Sequence, residues 1–131
     1  PQHLSRIAGL ARRYPNLRIV VDHGAKPDIA HGQWQDWADG LATLAQRENV
    51  CCKLSGLWTE AAPGAAAEVT QRYGQHIIAS FGVRRVIWGS DWPVLERAGA
   101  YAQWHDQACA LVPASDHAAL FDAVARQQYR L

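Results

Sequence analysis

A chain of 131 residues is one domain by length and can bury a real hydrophobic core. Its 49% apolar and 19% charged residues exclude a disordered chain, and a net charge of +1 gives no electrostatic case for nucleic acid or a membrane surface. No apolar run approaches the ~20 residues of a membrane span, and the opening PQHLSRIAGLARRYP lacks a signal-peptide core.

The first pattern is helical: Leu4, Ile7, Leu10 and Ala11 share one face, and Pro15 and Asn16 stop it. A short β-branched strand is expected over Leu17 to Asp22, ending on His23-Gly24. The loop GAKPDIAHGQ leads to a second helix with Trp34, Trp37, Leu41, Leu44 and Ala45 on one stripe. VCCKLSG reads as the second strand, ending on Ser55-Gly56. Val69, Tyr73, Ile77 and Phe81 mark a third helix, which Gly82 stops. RVIWGSD is the third strand. Tyr101, Trp104, Ala108 and Leu111 mark a fourth helix broken by Pro113, and a last helix should start with Ser115 or Asp116 as N-cap.

Short apolar strands separated by helices predict an α/β fold with three parallel strands and covering helices. That pattern fits an open doubly wound sheet or an arc of a (β/α)8 barrel, and three strands complete neither. Two strand edges would then be left for self-association or a partner. Cys51 and Cys52 should point to opposite sheet faces, and with Cys109 they form neither a disulfide framework nor a metal-ligand spacing, which points to a reducing cytoplasm. The chain starts on Pro1 and contains no methionine, so it is expected to be a segment or processed product of something longer.

Polar residues gather where the strands end: Asp22-His23-Gly24, Lys53-Leu54-Ser55-Gly56 and Gly89-Ser90-Asp91. Ligands bind at the carboxyl ends of strands in both architectures. Singly, each residue has an ordinary structural reading as a turn former, a hydrogen-bonded pair or a solvated side chain. Together they carry more weight. The chain uses eleven arginines but only two lysines, and both lysines, Lys26 and Lys53, lie at or just after strand ends. A strand-end aspartate beside a histidine can act as general base toward water, or the two can ligate a divalent ion that acidifies it. A lysine or second histidine can polarise a carbonyl oxygen. This is hydrolytic chemistry.

Four segments, VVDHGAKPDI, NVCCKLSGLWTEA, FGVRRVIWGSDWPV and FDAVARQQYRL, resemble in that order the C-terminal half of the amidohydrolase-related family of TIM-barrel hydrolases. Within it they are most similar to sugar-lactone hydrolases of the fuconolactonase kind, with 2-pyrone-4,6-dicarboxylate lactonase further out. The resemblance implies that residues 1–131 are a single partial domain, the last three βα units of a (β/α)8 barrel. It places His23 at the end of the sixth strand, or the fifth on another count, and Asp91 at the end of the eighth. Asp91 would be the general base and His23 an electrophilic contact or metal ligand. Lys26, Lys53, Ser55 and Trp92 would line the substrate site. One divalent ion, zinc or manganese, would be held by His23 and Asp91 if the enzyme uses a metal, and some members use none.

The resemblance is incomplete in three ways. The family's first-strand His-x-His pair is absent, since the six histidines at 3, 23, 31, 76, 105 and 117 are never two apart. Roughly 120 residues of a typical ~250-residue barrel are also absent, and Val124-Ala125 stands where an Asn-Ala is expected. The expectation is a hydrolase opening a small lactone, with this chain inactive by itself. The rival expectations are a non-catalytic remnant that pairs with a partner and a metal-dependent decarboxylase of the same superfamily.

Overall fold

The computed structural model describes residues 3–65 and 67–131. Eight principal elements follow in order: α1 (Leu4–Arg13), β1 (Ile19–Val21), α2 (Gln35–Ala45), β2 (Val50–Leu54), α3 (Ala67–Phe81), β3 (Val86–Trp88), α4 (Tyr101–Ala110) and α5 (Val124–Tyr129). The strands form one parallel sheet in the order β1-β2-β3. Its register pairs Val21 with Cys52 and Leu54 with Trp88. Strands that neighbour one another in chain order, with no reversal among them, follow a barrel wall rather than a doubly wound sheet. Among the described residues, β1 and β3 each have one neighbouring strand.

Strand alternation divides the core. Val21, Val50, Cys52, Leu54 and Val86 face α2 and α3, whose Trp37, Leu41, Leu44, Tyr73, Ile77 and Phe81 complete the main cluster. Cys51 and Ile87 face the other way and are covered by Val124 of α5, so the two adjacent cysteines do sit on opposite faces.

Two side chains end the outer helices. The Asn49 amide donates to the carbonyls of Ala11, Tyr14 and Leu17 at 3.2, 3.1 and 2.8 Å, closing α1. Arg85 donates to the carbonyls of Ala45 and Arg47 at 2.9 and 3.0 Å, closing α2.

β1 is shorter than expected because Leu17 is drawn off by Asn49 and Asp22 enters a 3-10 turn, Asp22–Ala25. The last helix also departs from expectation. Neither Ser115 nor Asp116 caps it with its side chain; both lie in a 3-10 turn that the Asp116 amide closes by donating to the Pro113 carbonyl at 2.9 Å. The chain passes through a 3-10 turn, Ala114–Asp116, and a wider π turn, Ala119–Ala123, before α5.

Candidate functional site

The parallel register builds the site. One step beyond the Val21–Cys52 pair, Asp22 meets Lys53, and the Lys53 ammonium lies 2.9 Å from Asp22 Oδ1. One step beyond Leu54–Trp88, Ser55 meets Gly89 across the strand ends. The turns that follow are left-handed. His23, Gly24, Ala25 and Lys26 have φ of 47, 55, 63 and 50°, and Asp91 has φ 61°. Each non-glycine residue held there costs about 1–3 kcal/mol, a cost met by surrounding structure and found most often at functional sites.

The surrounding structure is visible. On α2, the Trp37 indole N–H donates to the Gly24 carbonyl at 2.7 Å; on α4, the Trp104 indole N–H donates to the Gly89 carbonyl at 2.9 Å. The outer helices thereby hold the turns after β1 and β3.

His23 is the hub. Its Nδ1 lies 2.9 Å from the Ser55 hydroxyl and 3.7 Å from Asp91 Oδ1, and its Nε2 lies 3.5 Å from Asp22 Oδ2. Carboxylates flank both ring nitrogens, Asp22 beside Nε2 and Asp91 beside Nδ1, so either the Ser55 hydroxyl or the ring donates in the 2.9 Å bond according to the tautomer. Ser55 is 1% exposed. Gly56 makes room for the ring: a Cβ there would sit 2.7 Å from His23 Nδ1.

The Asp91 side chain is 13% exposed. The Thr59 hydroxyl lies 3.3 Å from Asp91 Oδ2 and 2.9 Å from the Gly56 carbonyl, and its single proton serves one of them at a time. Oδ1 accepts no hydrogen bond among the described residues.

Charges around the hub are paired. Burial opposes ionisation of Asp22, but the Lys53 hydrogen bond and the neighbouring His23 ring and Lys53 ammonium outweigh it and hold the carboxyl below its ordinary value. Burial likewise opposes the Lys53 charge, and the bond to Asp22 overcomes it, so the ammonium is held above its usual range. The Glu60 hydrogen bond at 2.6 Å raises Lys26.

A cavity of about 500 Å3 opens between the loops that follow β2 and β3; Asp91 is not on its wall, but Thr59, which is, reaches Asp91 Oδ2 at 3.3 Å. Lys26, Thr59, Glu60 and Arg97 give it polarity, and Trp58 and Val94 are among its apolar wall. The structure therefore gathers His23, Ser55, Lys53 and Asp91 at one end of the sheet, with Lys26 on the cavity wall. Trp92 stands apart: it is 67% exposed, outside the cavity, with its indole N–H donating to Glu96 at 2.9 Å. Sequence reading set Asp22 beside His23 but not beside Lys53, and passed over Thr59 and Glu60 as partners. Glu60 carried a signal, because it is the one charged residue between Ser55 and Ala67.

The donor set does not by itself fit a metal ion. Both ring nitrogens of His23 face protein partners, and among the described residues no three His, Cys, Asp or Glu side chains group to hold one. An ion here would need donors from outside these residues.

The sequence and the fold have close counterparts. The amidohydrolase family (Amidohydro_2) matches residues 1–131. An L-fucono-1,5-lactonase of Burkholderia ambifaria is 47% identical over 115 residues, covering 83% of this chain and 40% of that protein. A crystal structure of a Burkholderia multivorans amidohydrolase with bound HEPES superposes with TM-score 0.89 at 29% identity, covering 99% of this chain and 50% of that one. A zinc-bound form of a Burkholderia multivorans amidohydrolase gives TM-score 0.88. The chain thus spans about half the length of the relatives it matches, or less. Its three βα units are an incomplete (β/α)8 barrel, and by sequence and fold alike the chain belongs to the amidohydrolase family.

Proposed function

We propose that residues 1–131 form the C-terminal part of the barrel of a lactone hydrolase, acting on a sugar lactone or a related one with Asp91 as general base. The observation that carries this is the placement of Asp91: a nearly buried carboxylate on a left-handed strand-end turn, with Oδ1 accepting no hydrogen bond among the described residues and Oδ2 3.3 Å from Thr59, which lines the neighbouring cavity. The similarity to an L-fucono-1,5-lactonase supports the substrate class.

The chemistry follows from the groups present. A water beside Asp91 Oδ1 attacks the lactone carbonyl carbon and gives its proton to the carboxylate. The carbonyl electron pair moves to oxygen, where the Lys53 ammonium and a ring N–H of His23 are the groups placed to stabilise it. The alkoxide collapses, the ring C–O bond breaks, and the departing oxygen takes the proton back from Asp91. One water and one lactone yield one hydroxy acid, and the base is regenerated. Ser55 orients His23, Thr59 orients Asp91, and Lys26 contacts substrate from the cavity wall. Trp92 would reach substrate only from the rim. The open edges of β1 and β3 are where this arc pairs with further strands.

A second reading rests on one contact chain. Asp22, His23 and Ser55 follow the orienter–base–nucleophile order of serine hydrolases, with the Ser55 hydroxyl 2.9 Å from the imidazole. The burial of Ser55 weighs against it. Rapid-mix kinetics on a sugar lactone, in the protein that carries this chain, separates the two. General-base catalysis predicts that Asp91→Asn lowers kcat/KM by about 10²- to 10⁴-fold, with no product burst in the parent. A burst of ring-opened product, abolished by Ser55→Ala, would establish the nucleophilic route and overturn the first.

A further inference from the structure

We infer that the Lys26–Glu60 ion pair is a specificity device that selects uncharged, polyhydroxylated lactones, and that Glu60 is the residue that reads substrate hydroxyls. The inference rests on the hydrolase reading above and adds to it the means of choosing a substrate.

Lys26 leaves the β1 end and Glu60 belongs to the loop after β2, yet they meet at 2.6 Å on the wall of the cavity that Thr59 connects to Asp91. The Glu60 side chain is 24% exposed, and its Oε1 accepts from Lys26. Its Oε2 accepts no hydrogen bond among the described residues, and Lys26 has two of its three N–H donors left over. A free carboxylate oxygen next to free ammonium donors complements a hydroxyl group, which donates and accepts at once. Charge-assisted hydrogen bonds of this kind are the stronger ones.

Charge counts against the alternative substrate class. Among the described residues, Lys26, Glu60 and Arg97 are the only charged residues on the cavity wall, two cations and one anion. Lys26 is already neutralised by Glu60, and Arg97 has no ion-pair partner among the described residues. A dicarboxylate lactone would bring two negative charges to a site with one uncompensated cation and would press one carboxylate against Glu60. A neutral sugar lactone meets no such repulsion. Its ring can lie along Trp58 while its hydroxyls reach Glu60 and Lys26. The volume of about 500 Å3 suits a small ring with hydroxyl substituents.

The test compares kcat/KM on a six-carbon polyhydroxy δ-lactone with kcat/KM on unsubstituted δ-valerolactone, for the protein that carries this chain and its Glu60→Ala and Glu60→Gln variants. The parent should prefer the polyhydroxy lactone. The ratio of the two constants should fall about ten- to a hundred-fold in Glu60→Ala, and less in Glu60→Gln, which keeps an acceptor oxygen. A ratio within two-fold of the parent's in both variants overturns the assignment, as does a parent that prefers a dicarboxylate lactone. The two levels fail separately. A parent that opens neither lactone overturns the hydrolase reading, whereas a parent that opens both, with the ratio unmoved by the variants, overturns only the role of Glu60.

Discussion

Gly56→Ala tests whether the His23 ring is held where the strand-end chemistry needs it. Gly56 has φ +66°, and an added Cβ would lie 2.7 Å from His23 Nδ1, 2.9 Å from its Cγ and 3.0 Å from its Cβ. Rotating the ring moves Nδ1 but leaves the histidine Cβ in place, so the backbone must shift too. Three costs follow: about 1–2 kcal/mol for a left-handed alanine, about 1–3 for overpacking, and about 1 for the lost bond to Ser55. Gly32 is the matched control, because its φ is +67° and nothing lies within 4 Å of its added Cβ. Gly32→Ala should therefore show only the backbone cost. By guanidinium unfolding, Gly56→Ala should be less stable than Gly32→Ala by about 2–4 kcal/mol. Its kcat/KM for lactone opening should drop about a hundred-fold, the scale of an ångström-level misplacement. Equal stability and equal activity of the two variants would refute the reasoning.

Asn49→Ala removes the donor that serves the carbonyls of Ala11, Tyr14 and Leu17, and should cost about 2 kcal/mol in urea unfolding; a loss under about 0.5 kcal/mol would mean that water replaces the amide. Cys52 supplies a pH prediction. Burial pushes its thiol well above the ordinary value of 9.0, so above that pH the unfolded chain releases a proton that the folded chain keeps. The stabilisation of parent over Cys52→Ala is thus full below pH 9.0 and shrinks as pH rises, by about 1.4 kcal/mol per unit. Denaturation curves of both proteins from pH 8 to 10.5 check this, and a constant difference would contradict it.

The order of elements was legible because each helix carries its own apolar stripe and each strand its own β-branched run. The polar strand ends were legible for the same local reason. The pairings were not. Asp22 meets Lys53, and Ser55 meets His23, only through the sheet register, which joins residues about thirty positions apart and leaves no periodic trace. Asn49 and Arg85 carry no local mark of a tertiary role, yet their donors reach carbonyls on other segments. The wide turn at Ala119–Ala123 has no compositional marker, since Leu120 and Val124 suit a regular helix equally well. Thr59 and Glu60 lie in a loop whose path is set by tertiary contacts rather than by local pattern.

The indole bonds from Trp37 to Gly24 and from Trp104 to Gly89 bear on how the molecule comes apart. Loops at the mouth of a barrel ordinarily belong to its least stable layer and open by themselves. Here each such turn is tied to a tryptophan only 2% exposed in the helical layer. Freeing either turn leaves a buried N–H without an acceptor, so the site should share the cooperativity of the helices behind it. In amide exchange, the turn residues and the middle of α2 and α4 would then open in one step, with the chemistry lost only when the scaffold goes.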